Sequence, residues 1–212
     1  MLFRSEKIAA AMPKDGRRGV KRAERVAKEA GVVIKDETGM DRATFDEVYR
    51  VLEETSERDG FTPHSADVYW TMLTTLGEQA RMYVARLDGR PVAWVLVVVN
   101  GISAVAYYGA STTADRATRA AEATDWYAAC DLAAKGYKGY DFMGAGSTRV
   151  PELYSVGMYK KRFAQHPTEV DGAWDVPVQR PVFEALVAAK KAKHLVRKAT
   201  VVAAKASEAI KR

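Results

Sequence analysis

The chain has little of what many catalytic chemistries require. It holds a single cysteine, Cys130, in 212 residues, which excludes an internal disulfide and a cysteine metal cluster. Its three histidines, His64, His166 and His194, stand far apart and give no metal-ligand spacing, so no metal site is expected. The longest apolar run, Val92–Val99, is far short of the roughly 20 residues that cross a bilayer. The first twelve residues carry Arg4 and Lys7 without the apolar stretch of a signal peptide. These absences point to a reducing, cytoplasmic compartment.

What is present suits a folded chain. Hydrophobic residues make up 48% and charged residues 28% of the whole, enough to bury a sizeable core in one large domain. Lysine and arginine number 33 against 27 acidic residues, a net charge of +6. That balance favours anionic partners (nucleic acid, phosphates or an anionic membrane face) without choosing among them.

Periodicity divides the chain. Residues 1–16 look like a loose lead-in. Arg17–Ala30 carries Val20, Ala23, Val26, Ala27 and Ala30 at helical spacing, and Gly31 stops it. Val32-Val33-Ile34 reads as a short strand. Asp41–Arg58 is an amphipathic helix with Phe45, Val48, Tyr49 and Leu52 on one face. A second helix runs from about Ser65 to Leu76, with Ser65 and Asp67 placed to satisfy its first N–H groups. The period then changes to that of strands: Arg81–Leu87, Arg90–Asn100 and Ile102–Ala110, joined by the turn dipeptides Asp88-Gly89 and Asn100-Gly101. An Ala-rich helix over 117–135, a short strand over 139–143, a glycine-bearing loop over 144–147 and a helix over 151–163 follow. A last strand is expected over 169–178. Pro181 then opens a basic Ala/Lys helix towards Arg212. This is an α+β order with a mixed sheet flanked by helices, the order of the acetyltransferase-like (GNAT) fold. The organisation it implies is a basic lead-in over 1–35, the GNAT-like domain over 36–178 and a basic C-terminal helix over 179–212.

Several strings resemble one family in their order. Thr55–Phe61 is similar to Thr-x-x-Arg-x-Gly-Phe, Tyr108-Gly109-Ala110-Ser111 to Tyr-Gly-Ala-Ser, and Tyr140–Gly144 to Tyr-Asp-Phe-x-Gly. Leu153-Tyr154 with Tyr159–Phe163 resembles Leu-Tyr-x-Phe-Lys-x-x-Phe. These are motifs of the second acetyltransferase-like domain of the Fem family (FemABX), and the matches span about residues 17–175. Departures are Tyr159 for phenylalanine, Arg162 for glycine, and Gly157 inside the presumed helix. Family members carry two such domains. The first has no counterpart in these 212 residues, so a fragment, a half that pairs with a partner, or an enzyme of reduced competence are all open.

The resemblance implies an aminoacyltransferase of cell-wall cross-bridge synthesis. An amine of the stem peptide of a peptidoglycan precursor, lipid-linked or nucleotide-linked, attacks the ester of an aminoacyl-tRNA, with no further cofactor. Lys160 matches the lysine that stabilises the oxyanion of the tetrahedral intermediate. Taken alone, Lys160-Lys161-Arg162 reads as a solvated charge run. Arg58 matches an arginine that grips a phosphate group of the precursor, and equally suits a helix C-terminus, where cations are favoured. Tyr108 either reaches a cleft or is a half-buried sheet tyrosine. Tyr159 either stacks on a base or packs in the core. Asp141, between apolar neighbours, must be paired or functional, and a backbone or arginine partner is favoured over a base role. The stretch Ser111–Thr118, where a coenzyme A phosphate turn would sit, has no glycine. Lys190, Lys191, Lys193, Arg197, Lys198, Lys205, Lys211 and Arg212 could meet an anionic membrane or the tRNA backbone. Two other functions stay open: a non-catalytic module binding tRNA or a partner, and a small-molecule N-acyltransferase.

Overall fold

The turn glycines fold residues 80–111 into the expected meander. The computed structural model describes residues 2–146, 150–164, 168 and 175–193. Strands β2 (Ala80–Leu87), β3 (Arg90–Asn100) and β4 (Ser103–Ser111) pair antiparallel in chain order. Asp88 and Gly89 both take positive φ, 51° and 80°, the backbone that lets a tight hairpin follow the strand twist. The second turn comes one residue later than the sequence suggests. Asn100 still pairs with Ser103, and Gly101, at φ 58°, opens the turn. β1 (Val33–Asp36) lies antiparallel outside β2, and β5 (Gly139–Asp141) lies parallel outside β4. The sheet is therefore mixed, in the order β1-β2-β3-β4-β5.

Alternating side chains send the sheet into two cores. Met82, Val84, Trp94 and Leu96 pack on Phe45, Val48, Val51 and Leu52 of α3 (Arg42–Asp59) and on Tyr69 of α4 (Ala66–Leu76). Tyr83, Val95, Val97 and Val99 face the other way, onto Ala128 and Leu132 of α5 (Ala120–Ala134). The uninterrupted apolar run Val92–Val99 is thus a central strand covered on both faces. Behind α5 lie α1 (Leu2–Ala11) and α2 (Lys14–Glu29), with Ala23 and Ala27 against Ala123. Packed on two sides, α5 is rich in alanine because small side chains let both neighbours approach.

Several local expectations hold and others need correction. Asp41 caps α3 by accepting from the Thr44 amide at 2.8 Å, and Gly60 ends it at φ 74°. The capping expected of Ser65 and Asp67 does not occur. Ser65 makes no side-chain cap bond, and Asp67 turns to Arg42 at 2.7 Å. The lead-in is not loose: Ala9 and Met12 are buried with Val20, Trp126 and Cys130, so burial holds α1 helical. Pro13 then separates it from α2 because its ring cannot continue the ladder. α5 starts at Ala120, after a 3-10 turn over Arg116–Thr118 and Arg119 at φ 55°. The expected helix over 151–163 is a 3-10 turn, Pro151–Leu153, followed by α6 (Tyr154–Lys160).

The described residues 175–193 belong to a second unit. It contains helix α7, residues 180–193, with an Arg180–Glu184 ion pair and exposed Val182 and Leu186. Most of the strand expected over 169–178 lies outside the described residues, and 175–178 carry no strand. The basic positions from Arg197 onward also lie outside them. Among the described residues no helix is long and apolar enough to cross a membrane.

Three glycines set the place of α6. A Cβ on Gly157 would meet the Gly146 amide nitrogen at 2.7 Å, and one on Gly146 would meet the Tyr154 backbone at 2.5 Å. A Cβ on Gly16 of α2 would overlap the Arg162 carbonyl. The helix glycine that departs from the family pattern therefore serves a backbone-to-backbone contact.

Two outcomes follow. Leu96→Ala, at a fully buried position, should cost about 2–5 kcal/mol in urea unfolding, whereas Ile102→Ser, 60% exposed at a hairpin tip, should stay within about 0.5 kcal/mol. Alanine at Gly157 favours an isolated helix by about 1 kcal/mol. Here it should instead lower the melting temperature, because the clash falls on backbone; an unchanged or raised value would refute the close contact.

Candidate active site

β5 pairs with β4 for only three residues, Ser103↔Gly139 to Val105↔Asp141. Beyond Val105, β4 continues to Ser111 with β3 alone, and Tyr107 is an extra residue between the pairs Leu96↔Tyr108 and Val97↔Ala106. Such a bulge bends and twists its strand. The chain after β5 turns sharply: the Asp141 carboxylate accepts the Met143 amide at 2.7 Å, and Met143 takes φ 59°. Among the described residues the outer edge of β4 from Ala106 thus has no strand beside it, and the chain after β5 leads to α6.

α6 brings Lys160 to this loop. Its ammonium donates to the Gly144 carbonyl at 2.7 Å. The side chain is half-buried. Burial pulls its pKa down from the ordinary lysine value, opposed by the negative charges of Asp125 and Asp141. Lys160 is therefore a cation held at a fixed point, not part of a freely solvated run. Asp141 is exposed, not enclosed among apolar residues. It has the backbone partner its sequence context favours.

Tyr159 points inward. Its hydroxyl donates to Asp125 of α5, and its ring meets Phe163 edge-on at 5.5 Å. Asp125 is densely surrounded while keeping partial exposure, and burial raises its pKa to about 6. Tyr140 Oη lies buried beside the same carboxylate and closes no hydrogen bond of normal geometry. One turn earlier on α5, Glu122 pairs with Arg119 and lies 3.8 Å from Arg162. Asp125 lies outside every sequence motif. Its sequence signal is slight: one of three acidic residues, with Glu122 and Asp131, in an Ala-rich helix.

Arg58 and Tyr108 belong to the other end of β4. The Arg58 guanidinium donates to the Ser111 carbonyl at 2.7 Å and to both Asp59 carboxylate oxygens at 2.9 and 3.0 Å. Thr55 takes the Ser111 amide at 3.1 Å. One guanidinium nitrogen thus ties α3 to β4, while the other two are held by Asp59 at the end of α3 itself. Tyr108 is half-buried, edge-on to Tyr69 at 4.8 Å, and burial raises its pKa. The structure gathers Lys160, Tyr159 and Asp141 around Asp125 and Gly144, and places Arg58 and Tyr108 apart from them on the α3 side.

Two neighbouring features bear on ligands. In the turn between β4 and α5, the Asp115 carboxylate accepts from Thr112 at 2.7 Å and from Arg90 at 2.9 and 3.2 Å. An apolar pocket of about 190 Å³ lies under α1 and α5, lined by Met12, Trp126, Tyr140, Phe142 and Phe163 among others. Lys160 is not one of its walls. Among the described residues no cluster of side chains could hold a metal ion.

Comparison with known proteins agrees with this fold. A model described as "Acetyltransferase (GNAT) domain" matches residues 14–161. No curated protein matches the sequence. Among solved structures, one described as FemX has a TM-score of 0.65 at 15% identity, covering 75% of this chain, while the chain spans 55% of that protein. The C-terminal domain of a putative lysylphosphatidylglycerol synthetase from Agrobacterium fabrum gives 0.55 at 14% identity, covering 69% of this chain and 50% of that one. An aminoglycoside acetyltransferase from an uncultured soil metagenomic sample gives 0.53 at 15%, covering 69% and 96%. At these identities the likeness establishes the fold. Since the family model covers most of the chain, the protein belongs to the acetyltransferase (GNAT) domain family and is an acyltransferase in architecture.

Proposed function

We propose that this chain is the catalytic half of a Fem-type aminoacyltransferase, which moves an amino acid from aminoacyl-tRNA to an amine of a peptidoglycan stem peptide. The observation that carries the reading is the Lys160 ammonium, half-buried and bonded to the Gly144 carbonyl where β4 and β5 part company. As the amine adds to the ester, negative charge collects on the former carbonyl oxygen. A fixed cation aimed at that oxygen contributes more in the transition state than in the ground state. The Gly144 carbonyl holds the ammonium until that oxygen displaces it.

Arg58 enters this reading as a brace. With its fork on Asp59 and Ser111, it secures the far end of the β4 edge and leaves little of itself for a phosphate. Tyr108 lines that end beside Tyr69. Because Lys160 is not a wall of the apolar pocket under α1 and α5, the substrates are placed on the parted edge of β4, with a second wall supplied by another domain or a partner chain. The match to 55% of FemX supports that second wall. The glycine-free stretch Ser111–Thr118 favours a donor other than coenzyme A. The basic charge suits tRNA, and Val182 and Leu186 with Lys190, Lys191 and Lys193 on α7 suit peripheral contact with an anionic membrane.

Lys160→Ala should lower the turnover of labelled amino acid onto lipid II by about 10²–10³-fold, with an unchanged circular dichroism spectrum. The assay includes the products of neighbouring genes as candidate partner chains. Undiminished transfer in the variant would refute the role of Lys160. In a second measurement, acetyl-CoA should leave the melting temperature where it is. A rise of several degrees would favour a small-molecule N-acyltransferase instead.

A further inference from the structure

We propose that Asp125 is a positioning residue for this site, holding Tyr159 and the neighbouring Lys160 ammonium in place through a hydrogen bond and its own negative charge. The inference rests on Lys160 being the cation that meets the oxyanion. It goes beyond the motif residues because Asp125 lies outside all of them.

The geometry carries it. Asp125 sits on α5, a helix otherwise occupied on that stretch by Ala123, Thr124 and Trp126, and it receives the Tyr159 hydroxyl from α6. Tyr159 and Lys160 are adjacent, so fixing one fixes the backbone of the other. Besides the bond from Lys160 to the Gly144 carbonyl and the ring contact of Tyr159 with Phe163, the helix is located by its glycine approach to Gly146, which sets the backbone without gripping a side chain. From β5, the buried Tyr140 hydroxyl faces the same carboxylate. From α5, Glu122 also faces it, with Arg119 and Arg162 set against Glu122's own charge. Asp141 adds a second negative charge near Lys160.

Burial lowers the Lys160 pKa, and ionised Asp125 opposes this. Removing the charge at Asp125 lowers it further. Asp125 itself is held at about 6, above its ordinary value of 3.8. A carboxylate raised on folding contributes stability when protonated, and loses that contribution as pH rises through the folded value. At pH 8 the ionised group is therefore a net cost. A purely structural aspartate would make Asp125→Asn destabilising. A residue kept for its charge predicts an equal or higher melting temperature at pH 8, together with a displaced Lys160 titration.

The test uses the full chain without substrates. Trace acetylation with acetic anhydride across pH 6–11, read by peptide mass spectrometry, gives the titration midpoint of Lys160. Asp125→Asn should move that midpoint down by about one pH unit, with the melting temperature at pH 8 kept or raised. An unmoved midpoint, or a destabilised fold with an unmoved midpoint, overturns the proposal. If Asp125→Asn fails to fold, Tyr159→Phe carries the test. Without the phenolic donor Asp125 keeps its proton to higher pH and α6 loses its tether, so the Lys160 acetylation rate at pH 8 should change at least twofold; an unchanged rate overturns the proposal. Because the titration is read on the free protein, its failure leaves the transfer reaction standing. Loss of transfer in wild type with the titration shift intact does the reverse.

Discussion

Two strands that run together for three residues and then separate shape the surface on which the proposed reaction is placed. β4 and β5 are parallel from Ser103 to Val105 and no further. Parallel neighbours need a long crossover, and here α5 supplies it. What parts the strands is local: an extra residue at Tyr107 on one side, and on the other an aspartate that captures the Met143 amide and holds Met143 in a conformation that costs a non-glycine residue of order 1 kcal/mol or more. Every feature assigned to the site stands at this divergence or braces it. Thr55 and Arg58 fasten the far end of β4 at Ser111. Lys160 stands on the loop that leaves β5.

The region behind the divergence is polar where a core would ordinarily be apolar. Asp125, Tyr140, Tyr159 and Glu122 gather between α5, β5 and α6, and two of their polar atoms, Tyr140 Oη and Glu122 Oε1, are buried with no hydrogen-bond partner among the described residues. Groups of this kind are expensive to leave unpaired. Their concentration next to a half-buried lysine, while the meander core is built from Val, Leu, Met and Trp, is the pattern of a region shaped for chemistry more than for stability. The glycine contacts around α6 serve the same end, since they bring backbone, the least adjustable part of the chain, against the loop that carries Gly144.

Much of the fold could be read from the residues. Asp88-Gly89, the strand-like run before it and the apolar run after it dictated a meander. Asp41 and Gly60 marked both ends of α3. The N-terminal helix was hidden because its burial depends on Trp126 and Cys130, more than a hundred residues away, and no short-range period reports that. Ser65 and Asp67 looked like caps, but Arg42 claimed the carboxylate. For the site, the motif strings pointed to Lys160, and the parting of β4 and β5 became visible only in the strand register. They did not reveal that Tyr159 faces inward or that Arg58 is largely engaged. Asp125 escaped notice because an acidic residue on a helix reads as solvent-facing until its neighbours are known.

The central claim is that the Lys160 ammonium meets the developing oxyanion at the parted edge of β4. The most direct measurement is a crystal structure with a phosphonate that joins a tRNA 3′-terminal adenosine to a stem-peptide amine, mimicking the tetrahedral intermediate. The account predicts a phosphonate oxygen about 3 Å from Lys160 Nζ, with the bond to the Gly144 carbonyl released. A phosphonate bound elsewhere, with Lys160 still on that carbonyl, would contradict it.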